Sequence, residues 1–433
     1  MICRMEEKVR KFLWYAFIFI LPFQTVWILR DVYIEGEKWE YASVLFYASD
    51  LFLLGFFLLS VLNVRFRKKI TPLRDRIFLG IFGLIVLSTL SFFWALDPVL
   101  ALFFSWKSFL ALLVYMSVRY GEISYDTSLK LFSLGMLFHG VLGISQWIQQ
   151  YSPEISILGV SQYEAWRPGV SVLKTEMGRW LRVYGGMPHP NILGGISAVV
   201  FLALIFLVTF SEKKHKMLWI FFVFPFFLWG VLFSFSRTAW LGLFLGWGVV
   251  TLGVVVWKQY RMFAKRWMYS SLLSLCVLLS FVFSARELFF DRISEESIFH
   301  KESFFERDDL LDQSRDIIHK HPFFGVGAAN FTLWTRNNVV TDREYVAQFQ
   351  PVHNIFFLLW SELGLVGIFV FLWLLLELFI RAFKDRNLIF LGILSSMIPY
   401  MVLDHWLWTS HVGMLFFVFI LSVSWYQYQR RFL

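Results

Sequence analysis

Two cysteines in 433 residues leave little room for sulfur chemistry. Cys3 stands near the N-terminus and Cys276 inside an apolar run, so neither a disulfide framework nor a cysteine metal site is on offer. Charge is scarce as well, at 16% of residues, well below the roughly 25% of an ordinary soluble domain. No internal repeat of fixed period and no low-complexity tract is present, which excludes solenoids and arrays. The turn "GVGAAN" (325–330) follows no strand, so it is not a phosphate-binding fingerprint. No small-residue cleavage site follows the N-terminal "MICRMEEKVRKFLWYAFIFILPF", which therefore reads as an uncleaved first span rather than a signal peptide.

What the chain does have is hydrophobicity: 58% apolar and 20% aromatic residues, with 52 Phe and 20 Trp. Apolar runs near 12–29, 41–62, 77–94, 99–117, 127–149, 190–210, 217–234, 238–257, 268–284, 355–380, 387–403 and 411–426 predict about twelve spans. The expected fold is all-α, a polytopic integral membrane protein with one transmembrane domain over 1–433. Two longer connections, 150–189 and 285–354, remain outside the bilayer. Within the second, "ERDDLLDQSRDIIHKHPFFGVG" reads as an amphipathic helix with Leu310, Leu311, Ile317 and Ile318 on one stripe, stopped by Pro322 and capping the outer mouth of the bundle.

The net charge of +9 sits mostly in short connections, where it sets orientation and meets anionic membrane lipid; no nucleic-acid partner is needed. With both termini inside, the basic segments 65–76, 213–216, 258–266 and 381–386, together with Lys8, Arg10, Lys11, Arg119, Arg430 and Arg431, fall on the cytoplasmic side. The other side receives 35–40, the turn before Arg237, 404–411 and the two long connections.

Cations on the outer side run against this rule and need a reason. Arg237, in "SFSRTAWL", either snorkels to lipid phosphate or clamps an anion as a rigid fork of donors. "RWLRVYGGMPHPNILGG" adds Arg179, Arg182 and His189, then Pro190 and Asn191 at the start of an apolar helix, where free N–H groups attract anions and Asn191 is a candidate cap. His353 heads the tenth span and is either a hydrogen-bonding residue or a general base. Glu362 lies nine residues on, about two and a half turns, so a straight helix points it away from His353. Asp50 and Lys107 fall at similar depth in the second and fourth spans, where a structural ion pair is the favoured reading; His139 is also deep. Asp404, beside His405, either holds a neighbouring arginine or histidine or is a surface residue. Asp308, Asp309 and Asp312 suit a helix N-terminus better than a metal.

Taken in order, "RVYGGMPHPNILGG", "SFSRTAWLG", "HPFFGVGAANF" and "VHNIFFLLWSELGLVG" resemble the O-antigen ligase and O-antigen polymerase superfamily, over roughly residues 180–370. The resemblance implies a metal-independent, cofactor-free, inverting glycosyltransferase similar to other lipid-carrier-dependent (GT-C-like) membrane enzymes, in the bacterial inner membrane with its site on the periplasmic side. It implies an undecaprenyl-pyrophosphate-linked glycan as donor, and lipid A core or another glycan as acceptor. Arg237 and His353 match the family's catalytic arginine and histidine, and Arg182 matches the arginine ahead of "HPN". Asp404 is the counterpart of its late acidic residue, while Glu362 and Arg315 are supporting positions. An O-antigen ligase is the first expectation; a polymerase or a protein O-glycosylase is the alternative within the class. A lipid-linked glycan flippase is the rival from another class, opposed by the gathering of polar residues at one face rather than the midplane.

Overall fold

The computed structural model describes all residues except 1, 122, 168, 176–177, 211–216, 294–297, 339–347 and 433. The basic cluster at 213–216 and parts of the 285–354 connection therefore lie outside the described residues. From residue 77 onward every expected apolar run falls on a helix. Among the described residues seven helices are long and apolar enough to cross a membrane: Arg76–Phe93, Pro98–Tyr120, Tyr125–Gln149, Pro190–Phe210, Arg237–Val256, Lys258–Ser284 and Ile355–Lys384. A bent pair, Ala48–Leu62 with Phe66–Arg74, makes eight if counted as one span. Val223–Phe233, Leu388–Leu403 and His411–Trp425 are shorter apolar helices in the same bundle.

The first two runs need correction. The N-terminal helix spans Ile2–Ile20 rather than 12–29, because Pro22 cannot continue it and the following Val26–Arg30 is a strand. That strand pairs antiparallel with Val44–Tyr47, so the second helix starts at Ala48 and not near 41. Three further two-stranded sheets join the helices, all within 33–38 and 151–181.

Contacts tie the connections together at the two ends of the bundle. At one end Thr25 Oγ1 donates to Ile157 O at 2.7 Å, Trp39 Nε1 to Phe349 O at 3.1 Å, and Asn354 Nδ2 to Val402 O at 3.0 Å. At the other, Arg119 lies 3.8 Å from Asp75, Arg76 lies 3.4 Å from Glu377, and Tyr260 OH donates to Arg386 O at 2.9 Å.

The helix Pro190–Phe210 runs through the centre and is buried along almost its whole length. Beside it, Arg237–Val256 packs on Leu388–Leu403 along Gly242 and Gly246, four residues apart. A Cβ at Gly242 would stand 2.6 Å from Ser396 O and one at Gly246 2.8 Å from Gly392 O, so only glycine permits this close approach. In the helix 298–320, Leu310 and Ile317 are buried, and Ser314 Oγ lies 2.8 Å from Ser361 Oγ. The apolar stripe thus faces the helix Ile355–Lys384.

That long helix is broken. Gly364 has φ 69° and ψ −168°, and the segment 322–327 docks into the gap: Val326 N donates to Ser361 O and Gly327 N to Glu362 O, both at 2.9 Å, and Leu365 N to Pro322 O at 2.9 Å. A side chain at Gly364 would overlap the Phe323 backbone in addition to adopting a left-handed conformation. Gly364→Ala should therefore lower the melting temperature in detergent micelles by several degrees, for a cost of about 1–2 kcal/mol from the dihedral alone. Gly248→Ala, at a helical position where an added Cβ meets nothing within 4 Å, is the control and should leave it unchanged or slightly raised. Equal melting temperatures for the two variants would show that the break carries no structural constraint.

Candidate active site

A three-residue turn, Ser234–Ser236, joins the helices Met217–Phe233 and Arg237–Val256. Phe235 adopts φ 48° and is fully buried, which turns the Ser234 and Phe235 carbonyls outward. Arginines grip both: Arg182 Nε donates to Ser234 O at 2.8 Å and Arg292 Nε to Phe235 O at 3.1 Å. Ser236 Oγ caps the next helix by accepting from Ala239 N at 3.3 Å, so Arg237 occupies the first helical position. A cation there opposes the positive end of the helix dipole. Arg182, Arg237, Arg292 and Arg307 lie within electrostatic reach of one another. Burial pulls the Arg182 guanidinium down to about 10, with Arg307 and Arg237 adding to the fall; burial and then Arg182, Arg237 and Arg307 pull Arg292 down to about 8. Cations crowded at a helix N-terminus form a site for an anion.

Arg182 also makes the link to the rest of the site. Its Nη2 donates to Asn191 Oδ1 at 2.7 Å, and Asn191 Nδ2 donates to Asp404 Oδ2 at 2.8 Å. Asn191 is thus a bridge between a cation and a carboxylate, not the helix cap the sequence suggested. His189 takes the capping part: its Nδ1 accepts from Asn191 N at 3.1 Å, which leaves the ring proton on Nε2, 2.9 Å from Ser171 Oγ. Asp404 Oδ1 accepts from His405 N at 2.8 Å and lies 3.8 Å from His353 Nδ1. Burial raises the Asp404 carboxyl, but His353, His405 and His189 outweigh it and hold it well below the usual carboxylate range. The ionised Asp404 thus stands beside His353 Nδ1, which has no hydrogen-bond partner of its own.

His353, Asp404, His189 and Asn191 line a cavity of about 250 Å³ with Glu40, Lys107, Glu362, His405, Trp406 and Trp408–His411. Glu362 and His353 therefore share one cavity, contrary to the helical-wheel expectation: His353 precedes the cap Asn354, so it is not on the helix whose turns were counted. The expected Asp50–Lys107 pair does not form. Because the second helix starts late, Asp50 is in its first turn, where Oδ2 accepts from Tyr47 N at 3.3 Å and Oδ1 lies 3.0 Å from His411 Nε2. Lys107 instead donates to Thr409 O at 2.8 Å. Arg315 is exposed and paired to Asp312 at 2.6 Å, outside the cluster, while Arg179 donates to the loop carbonyl of Ala165 at 2.6 Å. His139 Nδ1 lies 3.2 Å from Gly185 O, in the packing under the outer loop.

Asp308, Asp309 and Asp312 are exposed and lie in the middle of the helix Ile298–Lys320, not at its N-terminus as the sequence suggested, because that helix begins ten residues earlier. His353, Asp404 and His405 do present ligand atoms within 4.8 Å of one another, but Asp404 is engaged by Asn191 and the His405 amide, and His405 Nδ1 lies 2.8 Å from Thr409 Oγ1. Arg292 was not singled out by sequence. It belongs to a charge-rich segment, and its only signal was a positive charge on the side where positive charge is disfavoured.

Residues 222–372 match the family model of the O-antigen ligases. The match supports the O-antigen ligase and polymerase superfamily, whose members are glycosyltransferase-like enzymes with lipid-linked glycan and acceptor partners. It contains Arg237, Arg292, Arg307, His353 and Glu362. No curated protein matches the chain.

Burial, reinforced by Arg182, lowers His189 to about 3; burial and then the neighbouring His353 lower His405 to about 3. Both rings are neutral in the folded protein, whereas in the unfolded chain a histidine takes up a proton near pH 6.5. The unfolded state binds more protons between these values, so stability falls as pH drops from about 6.5 toward 3, by up to about 1.4 kcal/mol per pH unit for each histidine. The melting temperature in micelles should fall across this window, and His405→Asn should make the fall shallower; parallel curves for variant and wild type would contradict the assignment.

Proposed function

We propose that the chain transfers a glycan from undecaprenyl pyrophosphate to an acceptor hydroxyl, at the extracytoplasmic face of the bacterial inner membrane, as an O-antigen ligase with lipid A core as acceptor. The observation that carries this is the Asn191 bridge, which fixes a buried arginine clamp and an Asp404-oriented histidine in one frame. A glycosyl pyrophosphate needs both. Outside the cytoplasmic membrane no nucleotide pool exists, so the donor arrives already activated.

In the reaction His353 Nε2 takes the proton of the acceptor hydroxyl, and the oxygen forms the new bond to the anomeric carbon from the side opposite the leaving group. The bond from that carbon to the phosphate oxygen breaks, and its electron pair leaves with undecaprenyl pyrophosphate. Configuration is inverted. Arg182, Arg237, Arg292 and Arg307 stabilise the charge that builds on the pyrophosphate, so no proton donor or metal is required for its departure. Neutral His189 and Asn191 orient the clamp, and Asp404 stabilises the imidazolium formed at His353.

A purified-protein assay with an undecaprenyl-pyrophosphate-linked glycan and lipid A core should give a glycosidic product. Arg237→Ala should lower transfer by about 10²–10³-fold with membrane insertion intact. His353→Ala should keep donor binding and lose about 10²–10⁴-fold in turnover. Full activity in Arg237→Ala removes the clamp role, and loss of donor binding without loss of turnover removes the base role. Translocation of the glycan with no product would replace the transferase by a flippase.

Asn191→Asp isolates the bridge. The substituted carboxylate still accepts from Arg182 but cannot donate to Asp404, and it sets two carboxylates against each other. Transfer should fall by about 10²-fold with the chain still folded, and wild-type rates in this variant would uncouple the clamp from the base.

A further inference from the structure

The cavity does not end at His353. Beyond it lie Lys107, Glu40 and Glu362, together with Trp406, Trp408 and Thr409. None of these takes part in the displacement described above.

Their bonding is incomplete in a particular way. Lys107 is 8% exposed and sits inside the span Pro98–Tyr120, where a charge is costly unless it is matched. Among the described residues no carboxylate comes within ion-pair distance of it; Glu40 and Glu362 act on it only at longer range. Its ammonium has three protons, of which one bonds Thr409 O, and its other neighbours are the rings of Phe103 and Phe104 at 5.1 and 5.5 Å. Glu362 is held by the backbone N–H groups of Ala329 and Phe331, with the Trp408 indole turned toward it outside hydrogen-bond geometry. Trp406 and Trp408 are 2% and 8% exposed, and the Nε1 of each lacks a hydrogen-bond partner. Glu40 is an exposed residue that lines the cavity.

The set thus offers a donor with protons to spare (Lys107) and acceptors (Glu40 and Glu362) around one small space lined also by Trp406 and Trp408. A ligand that satisfies both kinds at once carries hydroxyls, each a donor and an acceptor, on a ring with apolar C–H faces. We infer that this inner end of the cavity binds the acceptor saccharide, and that it selects an uncharged sugar over one bearing a phosphate or carboxylate. The sign of the charge follows from Glu40 and Glu362 outnumbering Lys107 at this end. The inference rests on the transferase reading of the same cavity.

Saturation-transfer NMR of the detergent-solubilised full chain separates the two. With glucose, galactose and their uronic acids and 6-phosphates as probes, the neutral hexoses should give signal and the acidic ones should not. Lys107→Met and Glu40→Gln should each weaken that signal about tenfold or more, the loss expected for a hydrogen bond to a charged group, and Arg237→Ala should leave it intact. Glu40 is exposed on a 3-10 turn, so its variant keeps the test valid if Lys107→Met fails to fold. In the transfer assay the same two variants should raise the KM for acceptor and leave donor binding unchanged. Sugar signal that both variants retain, or preferential binding of the acidic sugars, overturns the subsite. Signal lost as expected in a protein that forms no glycosidic product would leave the subsite standing and remove the transferase reading.

Discussion

The carboxamide of Asn191 is satisfied on both sides by charged partners, Arg182 at 2.7 Å and Asp404 at 2.8 Å. It can be satisfied only one way round, because Arg182 offers no acceptor and an ionised Asp404 offers no donor. Three distant segments are tied together as a result: the strand end before Val183, the start of the central helix, and the break after Leu403. Arg182 extends the tie to the turn at Ser234, and Asp404 extends it to His353 and His405. Charge-assisted bonds in a buried setting are strong and costly to break singly, so the frame behaves as a unit.

That frame sets local stability against function. Four arginines within reach of each other repel, and Arg237 and Arg182 stand near helix starts whose dipoles add to the repulsion. A fold selected for stability alone would put carboxylates there. Asp404 balances part of the charge, but it is committed to Asn191 and the His405 amide, and its remaining influence falls on His353.

Much of this was legible in the sequence, for a simple reason. A bilayer demands long apolar helices, and apolar runs mark them; an excess of cations on the disfavoured side marks Arg182 and Arg237. What the sequence did not show depended on where helices begin. Counting depth from residue 41 made Asp50 a mid-membrane partner for Lys107, whereas a strand to Tyr47 places it in a first turn beside His411. Counting turns from His353 moved Glu362 to the wrong face, because the histidine lies in the loop ahead of the cap. The role of Asn191 needed Asp404, 213 residues away, and no local pattern carries that information. Arg315 and Arg292 illustrate the same limit in one charged segment: helix packing sends the first to Asp312 at the surface and the second to the Phe235 carbonyl.

The break at Gly364 connects these observations. A continuous helix would leave the carbonyls of Ser361 and Glu362 bonded within itself, with no place for the segment 322–327. Left-handed Gly364 frees them, and Val326 and Gly327 take them up. The chain that follows then presents the Ala329 and Phe331 N–H groups to the Glu362 side chain, and Asn330 accepts from Asp97 N at 2.7 Å, joining this loop to the start of the helix that bears Lys107. The same junction thus places both Glu362 and Lys107 on the cavity, while the Asn191 bridge brings Asn191, Asp404 and His353 to it and holds Arg182 behind them. Two independent devices, one of backbone conformation and one of charge, meet in a single space, and its two ends differ in chemistry because different constraints built them.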